Sequence, residues 1–352
     1  MSHDVLFLPG PSECDAELRE IMSMPLMGHR SARFIEEVNA LLPKLRGLFL
    51  TEQIALFENC PATGMMDAAV RNLVHDRILH LTCGAFSERW HKSGVACGRT
   101  AEALAVEWGE AATPDMLRRH LEANPPYEAV TITYSETSTG VLNPLPELAA
   151  VVREVAPETL VLVDVVSAVA GAELRFDAWG LDFAMSGTQK CLALPPGLCV
   201  YALSERALAK AGQVEGRGFL QDFVKAKKGY DSGKTPATPN IPLVFALSRQ
   251  LDRIAAEGLE ARWARHSRMQ AMTQEWAREH DFTYFSADGF QSPTVSAMRA
   301  SGRDVSDLIA KAKAAGFVLG NGYGKLKNQT FRVGHMGDHP PERLAQLLAA
   351  IP

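Results

Sequence analysis

Asp164 and Lys190 stand where the apolar patterning around them leaves no ordinary use for a charge. Asp164 closes the run LVLVD, residues 160–164. A carboxylate at the end of a buried strand is costly unless a cation partners it. No histidine or second carboxylate lies close by in sequence to make a metal site, which leaves a helix cap as the commonplace alternative. A protonated pyridine nitrogen would supply the missing cation and make that ring an electron sink. Lys190 follows the apolar run 182–187 and opens a proline-containing turn, KCLALPPG. It reads either as a loop lysine at the surface or as an amine kept neutral by desolvation and able to condense with an aldehyde. A third element, Pro61-Ala62-Thr63-Gly64, leads from an apolar run into a helical pattern. Backbone N–H groups and the helix dipole there suit a phosphate, although many strand–helix turns look alike.

These residues need a scaffold, and the chain between 54 and 204 provides one. Short apolar runs read as strands at Ile54–Cys60, Ile78–Gly84, Ala103–Trp108, Ala129–Ser135, Leu160–Val166, Asp182–Gly187 and Leu198–Leu203. Amphipathic stretches such as Met66–Val74, Pro114–Ala123 and Pro146–Val155 separate them. Strands alternating with helices indicate an α/β fold around a parallel sheet covered on both faces. The link from Ser186 to Gly197 is too short for a helical crossover, so the last strand is expected to run antiparallel in a seven-stranded, mostly parallel sheet. Asp164 and Lys190 then follow consecutive strands at one sheet edge, where ligands of such folds bind. Beyond Pro242 a long helical pattern (243–279) contains Gly258, a possible break. A strand at Thr294–Met298, a helix at Val305–Ala315, the run TFRVGHMG and a closing helix from Pro341 follow. The expected division is an N-terminal segment (1–18), a large domain (19–250) and a smaller α+β C-terminal domain (251–352).

Bulk properties narrow the function. The chain has 352 residues, 47% apolar and 22% charged, with a net charge of −5. Mixed charges and a net negative balance argue against nucleic acid as a partner. No apolar run reaches membrane-spanning length, and the N-terminus lacks a basic head followed by an apolar core. The six cysteines show no metal-ligand spacing, which fits buried thiols in a cytoplasmic protein. Met22, Met24 and Met27 read as packing at a subunit contact, and His29 and His335 as structural groups.

The runs FLPGP, MGHRSARF, ETSTGV, LVDVVSAVAG, DAWGLD, SGTQKCLALPPGL, TPATP, EGLEARWARH, SPTVSA and FRVGHMG resemble, in order and over nearly the whole chain, the class V aminotransferases of fold type I. The alanine–glyoxylate and serine–glyoxylate (serine–pyruvate) branch is the most similar. The resemblance implies pyridoxal 5′-phosphate as cofactor, joined as an imine to Lys190, which also carries the proton between substrate Cα and cofactor. It implies that Asp164 pairs with the pyridine nitrogen, that Val166 packs beneath the ring and that Phe86 stacks on it. Ala62, Thr63, Gly64, Thr137 and Gln189 would contact the phosphate or ring oxygen. Thr235 and Thr238 would reach the partner subunit's phosphate in a homodimer, and Arg332 would grip the substrate carboxylate as a fork. One departure is Pro61: it stands in a loop that the family usually builds from Ser and Gly, and it offers no N–H donor.

The activity implied is transfer of an amino group from a small amino acid, alanine or serine, to glyoxylate or pyruvate. The donor follows from a single carboxylate-binding arginine. Phosphoserine or 2-aminoethylphosphonate would need further cations, for which Arg30, Arg33 and Arg217 are candidates. A desulfurase would need a cysteine late in the chain, and none follows Cys199. A non-catalytic assembly role would leave Lys190, Asp164 and Arg332 without a reason to persist together.

Overall fold

In the computed structural model, which describes residues 3–351, seven strands numbered β1–β7 along the chain build the larger sheet. They are β1 Ile54–Glu58, β2 Arg77–Thr82, β3 Thr100–Ala105, β4 Ala129–Thr133, β5 Leu160–Asp164, β6 Phe183–Gly187 and β7 Cys199–Leu203. Their spatial order is β1-β7-β6-β5-β4-β2-β3. β7 runs antiparallel to both of its neighbours, and every other pairing is parallel. Every residue of β1, β4, β5, β6 and β7 is buried, as strands covered on both faces must be. β3 forms the edge and is largely accessible; it lies three residues earlier than the sequence pattern suggested. Its register follows β2, with Arg77 opposite Thr100 and Thr82 opposite Ala105, and the polar Thr100 and Glu102 hid that pairing from an apolar reading.

Helices Ala62–Leu73, Ala85–Ala96, Pro114–Ala123 and Leu145–Val155 follow β1 to β4 in turn. Between β5 and β6 the chain crosses in turns without an α-helix. After β2 the chain steps outward to β3, whereas after β4 it proceeds the opposite way through β5 and β6. This reversal opens a crevice at the carboxyl ends of β2 and β4, the place where such sheets hold ligands.

A second sheet has the order Val5–Phe7, Phe317–Asn321, Thr330–Gly334, Val295–Arg299, Thr283–Tyr284. Val5–Phe7 pairs in parallel with 317–319, so the N-terminal segment completes the sheet built by the C-terminal residues. Phe7 accordingly packs with Met269, Trp276, Phe331 and Leu347 in a core separate from that of the large sheet. The helical pattern 243–279 is two helices, Ile241–Glu257 and Leu259–Glu279, broken at Gly258 with φ +83°. The division expected after residue 250 falls inside the first of these, whose Leu251 and Ile254 belong to the large core. The chain passes between cores at the glycine, where a left-handed backbone costs least. Residues 1, 2 and 352 of the expected segments lie outside the described residues.

Asp182, just before β6, fixes the strand that presents Lys190. It is 2% exposed and accepts from Val161 N (2.8 Å), Ser204 Oγ (2.9 Å) and Arg206 Nε (2.6 Å), with Arg153 alongside. Burial pushes its carboxyl upward, but the bond from Arg206, the charge of Arg153 and the Val161 N–H outweigh that, and the pKa lies below the usual carboxylate range. Replacement Asp182→Asn is expected to lower unfolding free energy by about 2–4 kcal/mol at pH 7, measured by urea denaturation. A carboxyl depressed in the folded state stabilises above its unfolded pKa and loses that contribution in acid, so the gap between wild type and variant should close as pH falls through the depressed value.

Candidate active site

Lys190 sits in the turn that joins β6 to β7, tightened by Thr188 Oγ1 donating to the Pro195 carbonyl at 2.6 Å and Ala193 N to the Lys190 carbonyl at 2.8 Å. The N-terminal segment crosses directly over it. Ser12 donates its N–H to the Gln189 carbonyl (2.9 Å) and its hydroxyl to the Lys190 carbonyl (2.6 Å), and Lys190 Nζ donates to the Pro9 carbonyl. Only glycine fits at position 10: φ is +99°, and a β-carbon would lie 2.5–2.8 Å from the end of the lysine side chain. Burial, then the charge of Arg332, bring the lysine amine down to about 8, against the opposing pull of Asp164 and Glu136. At that value an appreciable neutral fraction exists near neutral pH.

Asp164 is the last residue of β5 and is 4% exposed. Its Oδ1 accepts from Val166 N at 2.8 Å, and no cation lies within salt-bridge distance among the described residues. Burial raises its carboxyl to about 7, with the Val166 N–H opposing. The side chain is a deeply buried carboxyl without a cationic partner among the described residues.

Glu136, after β4, is completely buried and organises the neighbouring loop. It accepts from the backbone N–H groups of Phe86 (3.1 Å) and Ser87 (2.9 Å) and from the hydroxyls of Ser87 (3.1 Å) and Ser138 (2.6 Å). A carboxylate on the first turn of Ala85–Ala96 satisfies donors that Gly84, the N-cap, has no side chain to meet. A β-carbon at Gly84 would collide with Glu136, so glycine makes this cap possible. The consequence is a fixed Phe86 ring, with Lys190 Nζ 5.8 Å from its centroid.

Arg332, on the strand Thr330–Gly334, is held by two carbonyls: Nε donates to Asn321 O (2.9 Å) and Nη1 to Thr137 O (3.2 Å). No carboxylate pairs with it among the described residues, so its terminal edge retains donors. Burial lowers its pKa to about 10, still cationic at physiological pH. Thr137 Oγ1 and Ser167 Oγ are 2.6 Å apart.

At the start of Ala62–Leu73 the N-cap Pro61 forms no side-chain cap. Gly64 N is taken by the Pro61 carbonyl at 2.9 Å, which leaves the N–H groups of Ala62 and Thr63 without acceptors among the described residues. The Gly64 N–H is therefore already engaged within the turn. Gln189 is half-buried beside Lys190. Thr235 is buried with its hydroxyl unpartnered, whereas Thr238 is exposed and its carbonyl accepts from Asn59 at 2.9 Å.

A sequence model of the family "Aminotransferase class-V" matches residues 58–318. The chain belongs to the class V aminotransferases. It is similar to an uncharacterized aminotransferase of Methanocaldococcus jannaschii (32% identity, 99% of this chain and 91% of the relative). It is also similar to a protein named soluble hydrogenase 42 kDa subunit of Anabaena cylindrica (34%, 95% and 88%) and to a serine–glyoxylate aminotransferase of Methylorubrum extorquens (29%, 95% and 86%). Among solved structures, an aspartate aminotransferase of subgroup IV from Thermus thermophilus superposes with a TM-score of 0.92 at 30% identity, covering 99% of this chain and 97% of that one. The fold is that of the fold type I enzymes that use pyridoxal phosphate.

The residues of this class V aminotransferase fit that cofactor. Asp164 offers the buried carboxylate a pyridinium requires, Ala62 and Thr63 offer free N–H groups at a helix start, and the Lys190 amine is partly neutral. Glu136, Arg89 and Tyr323 were not singled out from the sequence. Arg89 lies one helical turn beyond Phe86, a spacing that places both on one face and could have flagged it. Glu136 stands inside the ETSTG motif, but its role depends on a helix 50 residues away. His335 is fully buried in the smaller domain, with Nε2 2.9 Å from Ser296 Oγ, and takes no part in the site. The arginines considered for a phosphorylated donor are engaged elsewhere: Arg217 with Asp222 (3.3 Å), Arg30 with the Thr235 carbonyl (3.3 Å), and Arg33 over the Phe245 ring.

A carboxyl raised from the usual range to about 7 destabilises the cofactor-free fold as it ionises, so stability should fall between roughly pH 4 and 7 on its account. Asp164→Asn is therefore expected to melt higher than wild type at pH 8 without cofactor, yet to retain pyridoxal phosphate far more weakly. Differential scanning fluorimetry across pH and a cofactor titration test both halves.

Proposed function

We propose that this aminotransferase moves the amino group of a small amino acid, with alanine or serine as donor, to a 2-oxo acid such as glyoxylate or pyruvate in a ping-pong cycle. The observation that carries the reading is the Arg332 guanidinium, unpaired with any carboxylate among the described residues and close enough for its charge to be felt by the buried Lys190 amine. Bound pyridoxal phosphate supplies an electron sink that makes the donor's Cα–H acidic. Arg332 holds the donor carboxylate as a two-pronged fork and thereby turns Cα–H toward the lysine. Lys190, with its amine near pKa 8, accepts that proton and returns it one carbon away. With the cofactor bound, Asp164 would keep its ring nitrogen protonated, and Phe86 and Val166 would pack against the ring and exclude water.

The site is completed by a second copy of the chain in this proposal, with Thr235 and Thr238 reaching the partner's phosphate. The exposure of Leu26 (75%), Phe219 (87%) and Leu220 (60%) supports a homodimer. Six free cysteines support a cytoplasmic location. No helix among the described residues is long and apolar enough to cross a membrane.

In a half-reaction screen, alanine and serine should convert the bound cofactor to its amino form, read as loss of visible absorbance. Conversion confined to phosphorylated or dicarboxylic donors would refute the donor assignment. Lys190→Ala should cut the rate by on the order of 10³-fold or more; an undiminished rate would remove the basis of the mechanism. Sedimentation equilibrium should give a dimer, and an active, cofactor-saturated monomer would contradict the shared site.

A further inference from the structure

The expectation of an uncharged donor side chain rested on a single guanidinium, and the fold brings a second to the site. Arg89, on Ala85–Ala96, lies with its Cζ 4.7 Å from the Phe86 ring centroid. Its Nη1 faces Thr63 Oγ1 at 3.3 Å, and its Nη2 donates to Tyr323 Oη at 2.8 Å. No carboxylate pairs with it among the described residues. The adjacent Glu88 is directed elsewhere, its Oε1 accepting from Trp108 Nε1 at 2.7 Å.

Tyr323 comes from the smaller domain, in the turn that follows Phe317–Asn321. Its ring stacks on Phe86 with centroids 5.2 Å apart, and the Arg332 Cζ lies 5.6 Å from its centroid. One phenol thus touches both unpaired guanidiniums, and it is 37% exposed at the mouth of the site. Since its oxygen already accepts from Arg89, its own proton is free to be donated. Arg332 is committed by its position near Lys190 to the donor's α-carboxylate, which leaves Arg89 and the Tyr323 hydroxyl facing whatever the donor carries beyond Cβ.

We infer that Arg89 and Tyr323 form a side-chain subsite that selects, among small donors, those ending in a carboxylate, a short dicarboxylic amino acid of the aspartate type. The inference rests on the transaminase reading above and extends its donors. A guanidinium over an aromatic face, anchored on one side by Thr63, is pre-organised for a planar anion, and a charge-assisted bond there outweighs a contact to a methyl or hydroxyl group. The subsite is split between the two domains, so it assembles only when the smaller domain is packed against the larger.

The test uses the holoenzyme with aspartate, glutamate, alanine and serine, with kcat/KM taken from the decay of the visible cofactor band. For wild type, aspartate should exceed alanine by about tenfold or more. Arg89→Gln should reduce that ratio by about tenfold, Arg89→Lys should restore part of it, and Tyr323→Phe should reduce it by about threefold. Retained cofactor absorbance and melting temperature establish that each variant is folded. The inference is overturned if wild type reacts with aspartate no faster than with alanine. It is equally overturned if Arg89→Gln slows every donor alike while shedding cofactor, because Arg89 would then serve the cofactor phosphate. Alanine and serine reacting while aspartate does not would sink the subsite and leave the transaminase reading intact; no reaction with any donor would remove both.

Discussion

A carboxylate buried at the end of an apolar strand, without a cation of its own, is the constraint from which the rest follows. Asp164 lies inside a sheet whose neighbouring strands are buried along their whole length, and burial, with the charge of Glu136 adding to it, lifts its carboxyl to about 7. An ionised group in such a place costs several kcal/mol unless paired. A positively charged ring would offset that cost, which is the role proposed for Asp164 toward the cofactor. Lys190 faces the complementary problem: its amine is desolvated beside Arg332, so it leaves the fully protonated range and becomes usable as a base. Two adjacent strands thus end in two groups displaced toward neutrality, in opposite chemical directions, at the same sheet edge.

Around this pair the protein is assembled from distant pieces of chain. Val5–Phe7 adds to the C-terminal sheet and then sends Pro9–Ser12 across the large sheet to close over Lys190. The strand Thr330–Gly334 lends Arg332, which is oriented by a carbonyl from each domain, Asn321 and Thr137. Glu136 caps the helix that carries Phe86 and Arg89. The contacts to Lys190 and Arg332 bind these two groups to backbone rather than to another flexible side chain, which holds the geometry before any ligand arrives.

Several of these features were legible beforehand. The strand sequence and the antiparallel β7 followed from run lengths and from a link too short for a helix. Lys190, Asp164 and Arg332 stood out because a charge in an apolar run demands a reason. The edge strand β3 was misplaced because an accessible strand carries little apolar signal. The break at Gly258 was visible, but not that it separates two cores. Arg89 resembled any arginine on an exposed helix face until Tyr323 and Thr63 were brought to it. Its neglect made the site look as though it held one guanidinium.

By itself the amino-acid sequence marked the buried runs and the two charged residues, Asp164 and Lys190, that stand beside their ends, since an unbroken apolar run is legible locally. The tertiary structure alone decided what meets them. That Pro9 covers Lys190, that Glu136 caps a helix begun 50 residues earlier, and that Tyr323 and Arg89 share a hydrogen bond across two domains depend on how separate elements dock. Periodicity records that a face is buried and is silent about the partner, because many apolar surfaces satisfy it equally. The packing of the whole chain selects one of them.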